Sequence, residues 1–226
     1  MKTNIVSIKV NEKETVSGII SIPKNHTSGE NIGVMIAHGA GNDMHNALLA
    51  SYADGLTASG CLCLRFNFPY KEKGRKSPDS PKLLAETWLA AYNFFKESSD
   101  YKPCPIIAAG KSMGGRIASE MVANKLLPAE RIIFLGYPFH APGKKDNPRD
   151  AHLYNIHIPM LFFAGTRDPL CNLEKLKEVL KNLSTSWELE TIEGGNHSFN
   201  LPKNASANFQ DIINIMVNKT LSWISK

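Results

Sequence analysis

The feature that most constrains the fold of this chain is a repeated alternation of short, continuously apolar segments with segments of helical periodicity. The helical segments lie at residues 46–58, 82–96, 113–126, 173–183 and 207–224. The apolar segments lie at residues 33–37, 61–66, 105–109, 131–135, 159–164 and 187–192. A strand that is apolar at every position is buried on both faces, as in a parallel sheet covered by helices. Because parallel strands joined by helices need right-handed crossovers, the pattern predicts a three-layer α/β/α sandwich.

The N-terminal region has a different pattern from the rest of the chain. Residues 5–10 alternate between polar and apolar side chains, and residues 15–22 do so more loosely, with a polar turn between them. This pattern predicts an antiparallel pair of strands at one edge of an otherwise mostly parallel sheet. No change of composition marks a linker and no repeat is evident, so residues 1–226 are expected to form one domain.

Composition excludes several classes of protein. Hydrophobic residues make up 42% of the chain and charged residues 21%, which is typical of a globular domain rather than a disordered one. No apolar run approaches the roughly 20 residues of a membrane helix, and the N-terminus has no apolar signal-peptide core. We therefore expect a cytoplasmic protein without membrane contact. The four cysteines show no C-x-x-C spacing, so no metal site or disulfide framework is predicted, and no organic cofactor is implied.

The charge of the chain leaves the class of partner open. The formal net charge is +5, and such a balance suits nucleic acid, anionic lipid or an acidic substrate. The positive charges are scattered apart from one cluster at Lys71, Lys73, Arg75 and Lys76. No aromatic side chains interleave with this cluster to stack on bases, and we therefore predict no nucleic-acid partner. The cluster is either a solvated loop or an anion-attracting rim beside a pocket.

A glycine-rich turn between a strand and a helix carries the strongest chemical signal. The segment 105–109 runs into residues 110–115, GKSMGG, and a helical pattern follows directly. This is the G-x-S-x-G pattern in its strand–turn–helix context, where the turn raises the serine hydroxyl above the sheet edge. The alternative is a glycine-rich turn without chemistry. The pattern predicts Ser112 as a nucleophile and the backbone N–H of Met113, at a helix N-terminus, as a donor to a developing anion.

A serine hydroxyl needs a base to accept its proton, and seven histidines are available. His197 lies in a glycine-rich loop between the last strand and the last helix, and it follows Ser112 in the chain order expected of this motif. His140 also follows a strand, but it would need an acid between residues 112 and 140. The acids there, Glu120 and Glu130, lie on a helix and at a helix–strand turn. We therefore predict His197 as the base.

The remaining parts of the site come from two other turns that follow strands. Asp168 lies in the turn after the strand 159–164, where its carboxylate would orient the imidazole, although alone it reads as a turn former or helix N-cap. The turn at residues 38–41 follows the first parallel strand and offers a second anion donor, the N–H of Ala40 or of Gly41. We expect the His38 side chain to support this turn.

These residues, over essentially the full length of the chain, resemble the α/β-hydrolase superfamily. Three further segments, residues 38–44 (HGAGNDM), 65–70 (RFNFPY) and 137–143 (YPFHAPG), are similar to its small lidless branch. That branch includes testis-expressed protein 30, the hydrolase-like domain of NSL-complex subunit 3, and bacterial proteins related to dienelactone hydrolase. The resemblance implies a hydrolase fold with little or no cap. Dienelactone hydrolase itself uses a cysteine where this chain has Ser112, so its substrate is not carried over.

The sequence thus predicts a serine hydrolase, esterase-like or thioesterase-like, acting on a small soluble carboxylic ester or thioester. Loops at residues 67–81 and 138–150 leave the productive sheet edge and are candidate pocket walls. Five residues are candidate substrate contacts: Gly41, Asn67, Tyr70, Lys111 and His140. The alternative is a protein-interaction module that retains the hydrolase fold with weak or no turnover, since some members of the branch resemble interaction domains.

Overall fold

All eight strands belong to one sheet in the computed structural model, which describes residues 1–226. The strands are β1 (Lys2–Lys9), β2 (Thr15–Ile22), β3 (Gly33–Ala37), β4 (Leu62–Phe66), β5 (Ile106–Lys111), β6 (Arg131–Leu135), β7 (Met160–Gly165) and β8 (Trp187–Ile192). The helices are α1 (Ala47–Ala58), α2 (Pro69–Glu72), α3 (Pro81–Glu97), α4 (Met113–Ala123), α5 (Leu173–Lys181) and α6 (Phe209–Ile224). The spatial order of the strands is β1-β2-β4-β3-β5-β6-β7-β8.

The sheet is parallel from β4 to β8, and the N-terminal pair adds its antiparallel edge, with β1 against β2 and β2 against β4. Two separate hydrophobic clusters cover its two faces. One face packs against α3, α4 and α5 through side chains such as Trp88 and Leu176. The other packs against α1 and α6 through side chains such as Leu49 and Met216. The predicted three-layer sandwich is confirmed.

Several element boundaries differ from the sequence prediction. Strand β1 begins at Lys2 rather than residue 5, and β5 continues through Gly110 and Lys111 rather than ending at residue 109. Helix α4 ends at Ala123, three residues before the predicted end. The loop predicted at residues 67–81 contains the short helix α2, and a 3-10 turn lies at Ala151–Asn155.

The carboxyl ends of the six parallel strands meet at one edge of the sheet, and six connections leave this edge. One is the single residue Ser112 between β5 and α4, and the others cover residues 38–46, 67–80, 136–159, 166–172 and 193–208. The longest of them contains only the 3-10 turn Ala151–Asn155, so no helical cap is built over the edge. No helix of the protein has both the length and the apolar character needed to cross a bilayer.

Candidate active site

Ser112 lies in a sharp, strained turn between β5 and α4. Its backbone has φ 49° and ψ −113°, and a non-glycine residue rarely adopts a positive φ. A Cβ on Gly110 would lie 2.2 Å from the Gly115 nitrogen, and one on Gly114 would lie 2.7 Å from the His38 carbonyl oxygen. The turn therefore closes only because these two positions are glycine. The indole N–H of buried Trp88 donates to the Gly114 carbonyl over 3.1 Å and holds the start of α4.

The structure brings Ser112, His197 and Asp168 together in one hydrogen-bonded row. His197 Nε2 lies 2.9 Å from Ser112 Oγ, and His197 Nδ1 lies 2.7 Å from Asp168 Oδ2. An ionised carboxylate only accepts hydrogen bonds, so Nδ1 carries the proton and Nε2 is left to accept from the serine hydroxyl. The Asp168 side chain is fully buried, whereas the His197 side chain keeps 21% of its surface exposed.

Asp168 is held by its own turn as well as by the histidine. Its Oδ1 accepts the backbone N–H of Leu170 over 2.8 Å, which leaves Oδ2 for His197. The N-cap of α5 is Asn172, whose side chain accepts from Lys175 N. Asp168 is therefore a turn former, as one interpretation of the sequence held, but it is not the cap of the helix that follows.

The loops that carry Asp168 and His197 are fastened to each other at their bases. Arg167 N donates to the Gly195 carbonyl over 2.9 Å, and Gly194 N donates to Thr166 Oγ1 over 2.8 Å. A Cβ on Gly165 would lie 2.2 Å from the Gly195 oxygen, so β7 and the histidine loop can approach this closely only at a glycine. The distance between the carboxylate and the imidazole is thus set by backbone contacts.

Asn196 is a structural determinant of the site that the sequence reasoning missed. Its Oδ1 accepts the backbone N–H groups of Ser198 and Asn200, over 2.9 and 3.0 Å, and so curls the loop around His197. Phe199 has a φ of 61° and is buried in the same curl. The signal was an asparagine directly before the histidine in a glycine-rich loop, because asparagine side chains organise turns.

The turn after β3 lies directly beside Ser112. A Cβ on Gly39 would lie 3.3 Å from the Ser112 Cβ, and Gly41 has a φ of 76°. The N–H groups of Ala40 and Gly41 donate to no backbone acceptor. Met113 is the first residue of α4, and its N–H belongs to those that a helix leaves without an intrahelical acceptor. Backbone N–H groups without a backbone acceptor are thus present in both turns that meet at Ser112.

His38 supports this turn with both ring nitrogens. Nδ1 donates to the Gly39 carbonyl over 2.9 Å, and Nε2 accepts the backbone N–H of Phe68 over 3.1 Å. This pairing requires a neutral imidazole. Burial lowers the pKa of His38 from 6.5 to about 4, with the Gly39 hydrogen bond acting in the opposite direction. The expectation that His38 has a structural role agrees with this geometry.

Two of the predicted substrate contacts are engaged within the protein. Asn67 accepts from Met44 N and donates to Glu72, and only 9% of its surface is exposed. Tyr70 has no exposed surface, and its hydroxyl donates to the Gly39 carbonyl over 3.3 Å. In this structure these two side chains brace the neighbouring loop and offer little or no surface to a ligand. Because their partners are distant in the sequence, spacing alone did not indicate this role.

The other three predicted contacts differ in accessibility. Gly41 is exposed, and a Cβ added to it would have no other atom within 4 Å. His140 is 2% exposed, and its Nδ1 contacts the Ala141 carbonyl at 3.0 Å. Lys111 is 7% exposed, and its ammonium lies 6.0 Å from the centre of the Phe199 ring. Of the three, only Gly41 presents open surface to a ligand.

The surroundings of the site are open and partly charge-neutralised. Ser112, Asp168 and His197 line none of the five best-defined cavities of the protein. In the basic cluster of the 67–80 loop, Lys73 pairs with Glu14 and Arg75 pairs with Asp79, while Lys71 and Lys76 form no salt bridge. These pairings favour a solvated loop over an anion-attracting rim. No group of three or more His, Cys, Asp or Glu side chains is placed to hold a metal ion.

Comparison with known proteins shows which family and which solved structures this chain is similar to. A family model described as alpha/beta hydrolase domain matches residues 30–225. A dienelactone hydrolase from Anabaena variabilis is 22% identical, with 99% of this chain and 97% of that chain covered and a TM-score of 0.77. Est1E from Butyrivibrio proteoclasticus with bound ferulic acid is 16% identical (98% and 100% covered, TM-score 0.77). A serine hydrolase without a lid from Xanthomonas campestris is 16% identical (98% and 95% covered, TM-score 0.72). At these identities the structural likeness establishes the common fold.

Proposed function

Since the chain belongs to the alpha/beta hydrolase family, we propose that it is a serine hydrolase that transfers the acyl group of a small ester or thioester to water. The observation that carries this proposal is the unbroken row from Ser112 Oγ through the His197 imidazole to the Asp168 carboxylate, with hydrogen bonds of 2.9 and 2.7 Å. A hydrogen bond between a serine and a histidine that are both buried would not by itself indicate a nucleophile. Here the serine is partly exposed, and its strained turn directs it out of the sheet edge.

The reaction follows from the hydrogen-bond directions. Ser112 Oγ attacks the acyl carbon while His197 Nε2 accepts its proton, and the buried Asp168 carboxylate stabilises the imidazolium that results. Collapse of the tetrahedral intermediate breaks the bond to the leaving alcohol or thiol, which takes the proton from His197. A water molecule then attacks the acyl-serine by the same route, with His197 again as the base, and the free acid leaves.

The oxyanion of each tetrahedral intermediate would accept hydrogen bonds from Met113 N–H and Ala40 N–H. The sequence left Ala40 and Gly41 as alternatives. Burial raises the pKa of Tyr70, and a backbone contact with Gly41 acts in the opposite direction. Ala40 N–H has no such neighbour, and Ala40 is exposed beside the serine turn. This difference favours Ala40 as the second donor.

The openness of the site favours a small substrate. No helical cap covers the sheet edge, so a small soluble acyl group fits better than a long lipid chain, which needs an enclosing apolar surface. We extend to this chain the ester chemistry named for its structural neighbours, and we keep the sequence-based resemblance to the testis-expressed protein 30 branch. We also propose that residues 1–226 act as one domain in the cytoplasm.

The deciding experiment is covalent labelling with a fluorophosphonate, read by intact mass. We expect one adduct on the wild-type protein and none on Ser112→Ala. Ser119→Ala is a matched control, because Ser119 Oγ lies 2.7 Å from His152 Nε2 but Ser119 is fully buried on α4. That variant should still be labelled. Circular dichroism of all three proteins shows whether each is folded.

The alternative function, a protein-interaction module without turnover, makes the opposite prediction. Folded wild-type protein would then remain unlabelled, or Ser112→Ala would be labelled equally. A positive result would be followed by hydrolysis assays on short-chain 4-nitrophenyl esters and on acyl thioesters of equal length. Equal rates on neutral and anionic esters of the same size would argue against any preference for acidic acyl groups.

A further inference from the structure

The segment formed by the end of β4 and the residues directly after it holds the backbone of the loop that follows β3. Met44, near the end of that loop, has both of its backbone polar groups engaged. Its carbonyl accepts from Arg65 Nη1 over 2.7 Å, and its N–H donates to Asn67 Oδ1 over 2.9 Å. Arg65 and Asn67 are 6% and 9% exposed, so both bonds are largely shielded from water. The last turn of the loop is therefore fixed to the sheet.

The same segment holds the first turn of the loop. Tyr70 is fully buried, and its hydroxyl donates to the Gly39 carbonyl over 3.3 Å. The backbone N–H of Phe68 reaches His38 Nε2 over 3.1 Å. Residues on both sides of Ala40 are thus held, whereas Ala40 itself is exposed and has no backbone acceptor.

We propose that Arg65, Asn67 and Tyr70 are positioning residues that hold the Gly39–Met44 loop so that the Ala40 N–H points at the oxyanion of the reaction. This inference rests on the proposed function. The loop has no helix or strand of its own between β3 and α1, and Gly41 adopts a φ of 76°. An anion-binding N–H lowers the barrier only when it is already oriented before the charge develops. A glycine-containing turn needs outside contacts to supply that orientation.

One feature of Arg65 supports a role in positioning over one in stability. Its Nε is buried without a hydrogen-bond partner, and burial is the largest influence on its pKa, which it lowers. A buried donor left unpaired is unfavourable for folding. The guanidinium nevertheless donates a hydrogen bond to the Met44 carbonyl, in the loop beside the serine.

The test compares two chemically identical substitutions. Tyr70→Phe removes the hydroxyl that donates to Gly39, and Tyr92→Phe removes a hydroxyl that donates to the Pro128 carbonyl over 3.0 Å, away from the site. With 4-nitrophenyl acetate we expect kcat of Tyr70→Phe to fall by about 10- to 100-fold with KM nearly unchanged, because misplaced groups lose that order of rate. Tyr92→Phe should keep the wild-type kcat.

A second readout separates positioning from general loosening. A trifluoromethyl ketone forms a tetrahedral oxyanion on an active serine, so its affinity should fall in parallel with kcat in Tyr70→Phe. Asn67→Ser, which releases Met44 N–H, should shift both quantities in the same direction. Equal kcat and equal ketone affinity in Tyr70→Phe and Tyr92→Phe would overturn the inference. Absence of wild-type labelling and hydrolysis would instead overturn the proposed function.

Discussion

At the scale of single residues, Lys111 is a buried charged side chain next to the candidate nucleophile, and its burial is unfavourable for the stability of the fold. It lies immediately before the strained serine, and burial lowers its pKa from 10.5 to about 8, with Asp168 acting in the opposite direction. Asp168 pairs with His197 rather than with Lys111. A Cβ on Gly136 would lie 3.2 Å from the Lys111 Nζ, so the ammonium packs tightly against the backbone of residue 136.

This environment predicts that Lys111→Met stabilises the protein at neutral pH. Below pH 8 the lysine is charged in both states, and the folded state bears the full cost of burial, about 3 kcal/mol at 1.4 kcal/mol per pKa unit. Between pH 8 and 10.5 the folded state releases the proton first, so wild-type stability rises with pH and the difference shrinks. Urea unfolding of both proteins at pH 7 and pH 10 measures it.

The control for this prediction is Lys24→Met, at an exposed position. It should change the free energy of unfolding little at either pH, since an exposed lysine bears no burial cost. A Lys111→Met protein that is less stable than wild type at pH 7 would show that the ammonium gains more from its surroundings than it loses on burial.

The residues of the row at Ser112 were predictable from the sequence because each follows a strand that ends at the same sheet edge. Chain order and turn composition were enough to select Asp168 and His197. Asn67 and Tyr70 also follow a strand end, and the same reasoning assigned them to the substrate. The hydrogen-bond partners that they have within the protein, Met44 and Gly39, lie more than twenty residues earlier, and no local pattern in the sequence indicates such bonds.

At the scale of elements, the strand–turn–helix unit of β5 and α4 depends on close backbone approach. The sequence prediction ended this strand at residue 109 because the apolar pattern stops there. The backbone continues to pair, with Gly110 opposite Phe134 and Lys111 opposite Leu135 on β6. Hydropathy reports the polarity of the side chains, whereas the length of a strand depends on backbone hydrogen bonds to the neighbouring strand. The two criteria therefore give different strand ends where a glycine and a lysine follow the apolar residues.

Gly110→Ala should therefore destabilise the protein far more than an ordinary glycine substitution. The new Cβ would lie 2.2 Å from the Gly115 nitrogen, a backbone atom at the start of α4 that cannot move aside as a flexible side chain could. Gly74→Ala is the matched control, since Gly74 has a φ of 65° but nothing within 4 Å of its Cβ. We expect about 1 kcal/mol for Gly74→Ala from backbone strain alone, and more than about 3 kcal/mol for Gly110→Ala.

Chemical denaturation of both variants measures these values, and the fluorophosphonate labelling rate gives a second readout. Gly74→Ala should be labelled at the wild-type rate. Any Gly110→Ala protein that folds should label slowly, because the serine turn must open to admit the methyl group. Equal destabilisation of the two variants would mean that the turn accommodates a side chain.

At the scale of the whole molecule, the alternation of strands and helices was enough to predict the architecture. Strands that are buried on both faces need a layer of helices on each side, and the two hydrophobic clusters cover the two faces of the sheet. Strands β3 to β7 are buried at nearly every position, whereas β8 at the sheet edge is mostly half-buried. The structure of the loops was harder to predict from the sequence. Helix α2 lies inside a polar, proline-containing loop, where Asp79 Oδ2 accepts the Tyr70 N–H over 2.8 Å. Such a contact becomes visible only once the chain is folded.

The whole molecule should also lose stability in mild acid, in part through His38. Its pKa is about 4 in the folded state and 6.5 when exposed, so between these values the unfolded chain binds a proton that the folded protein does not. Stability is complete above pH 6.5 and falls as the pH decreases toward 4, by about 3 kcal/mol from this residue. His38→Gln keeps a side-chain oxygen that can accept the Phe68 N–H and removes the titration.

The measurement is the free energy of unfolding of both proteins from pH 7 to pH 4. His38→Gln should be less stable at pH 7, because packing against Phe68 and Tyr70 is lost, but its stability should fall less steeply in acid. His157→Gln, at an exposed position, should keep the wild-type slope. Parallel pH profiles for wild type and His38→Gln would mean that the folded protein admits the proton at His38. The turn beside Ser112 would then have to tolerate a charged imidazole, which cannot accept the Phe68 N–H at Nε2.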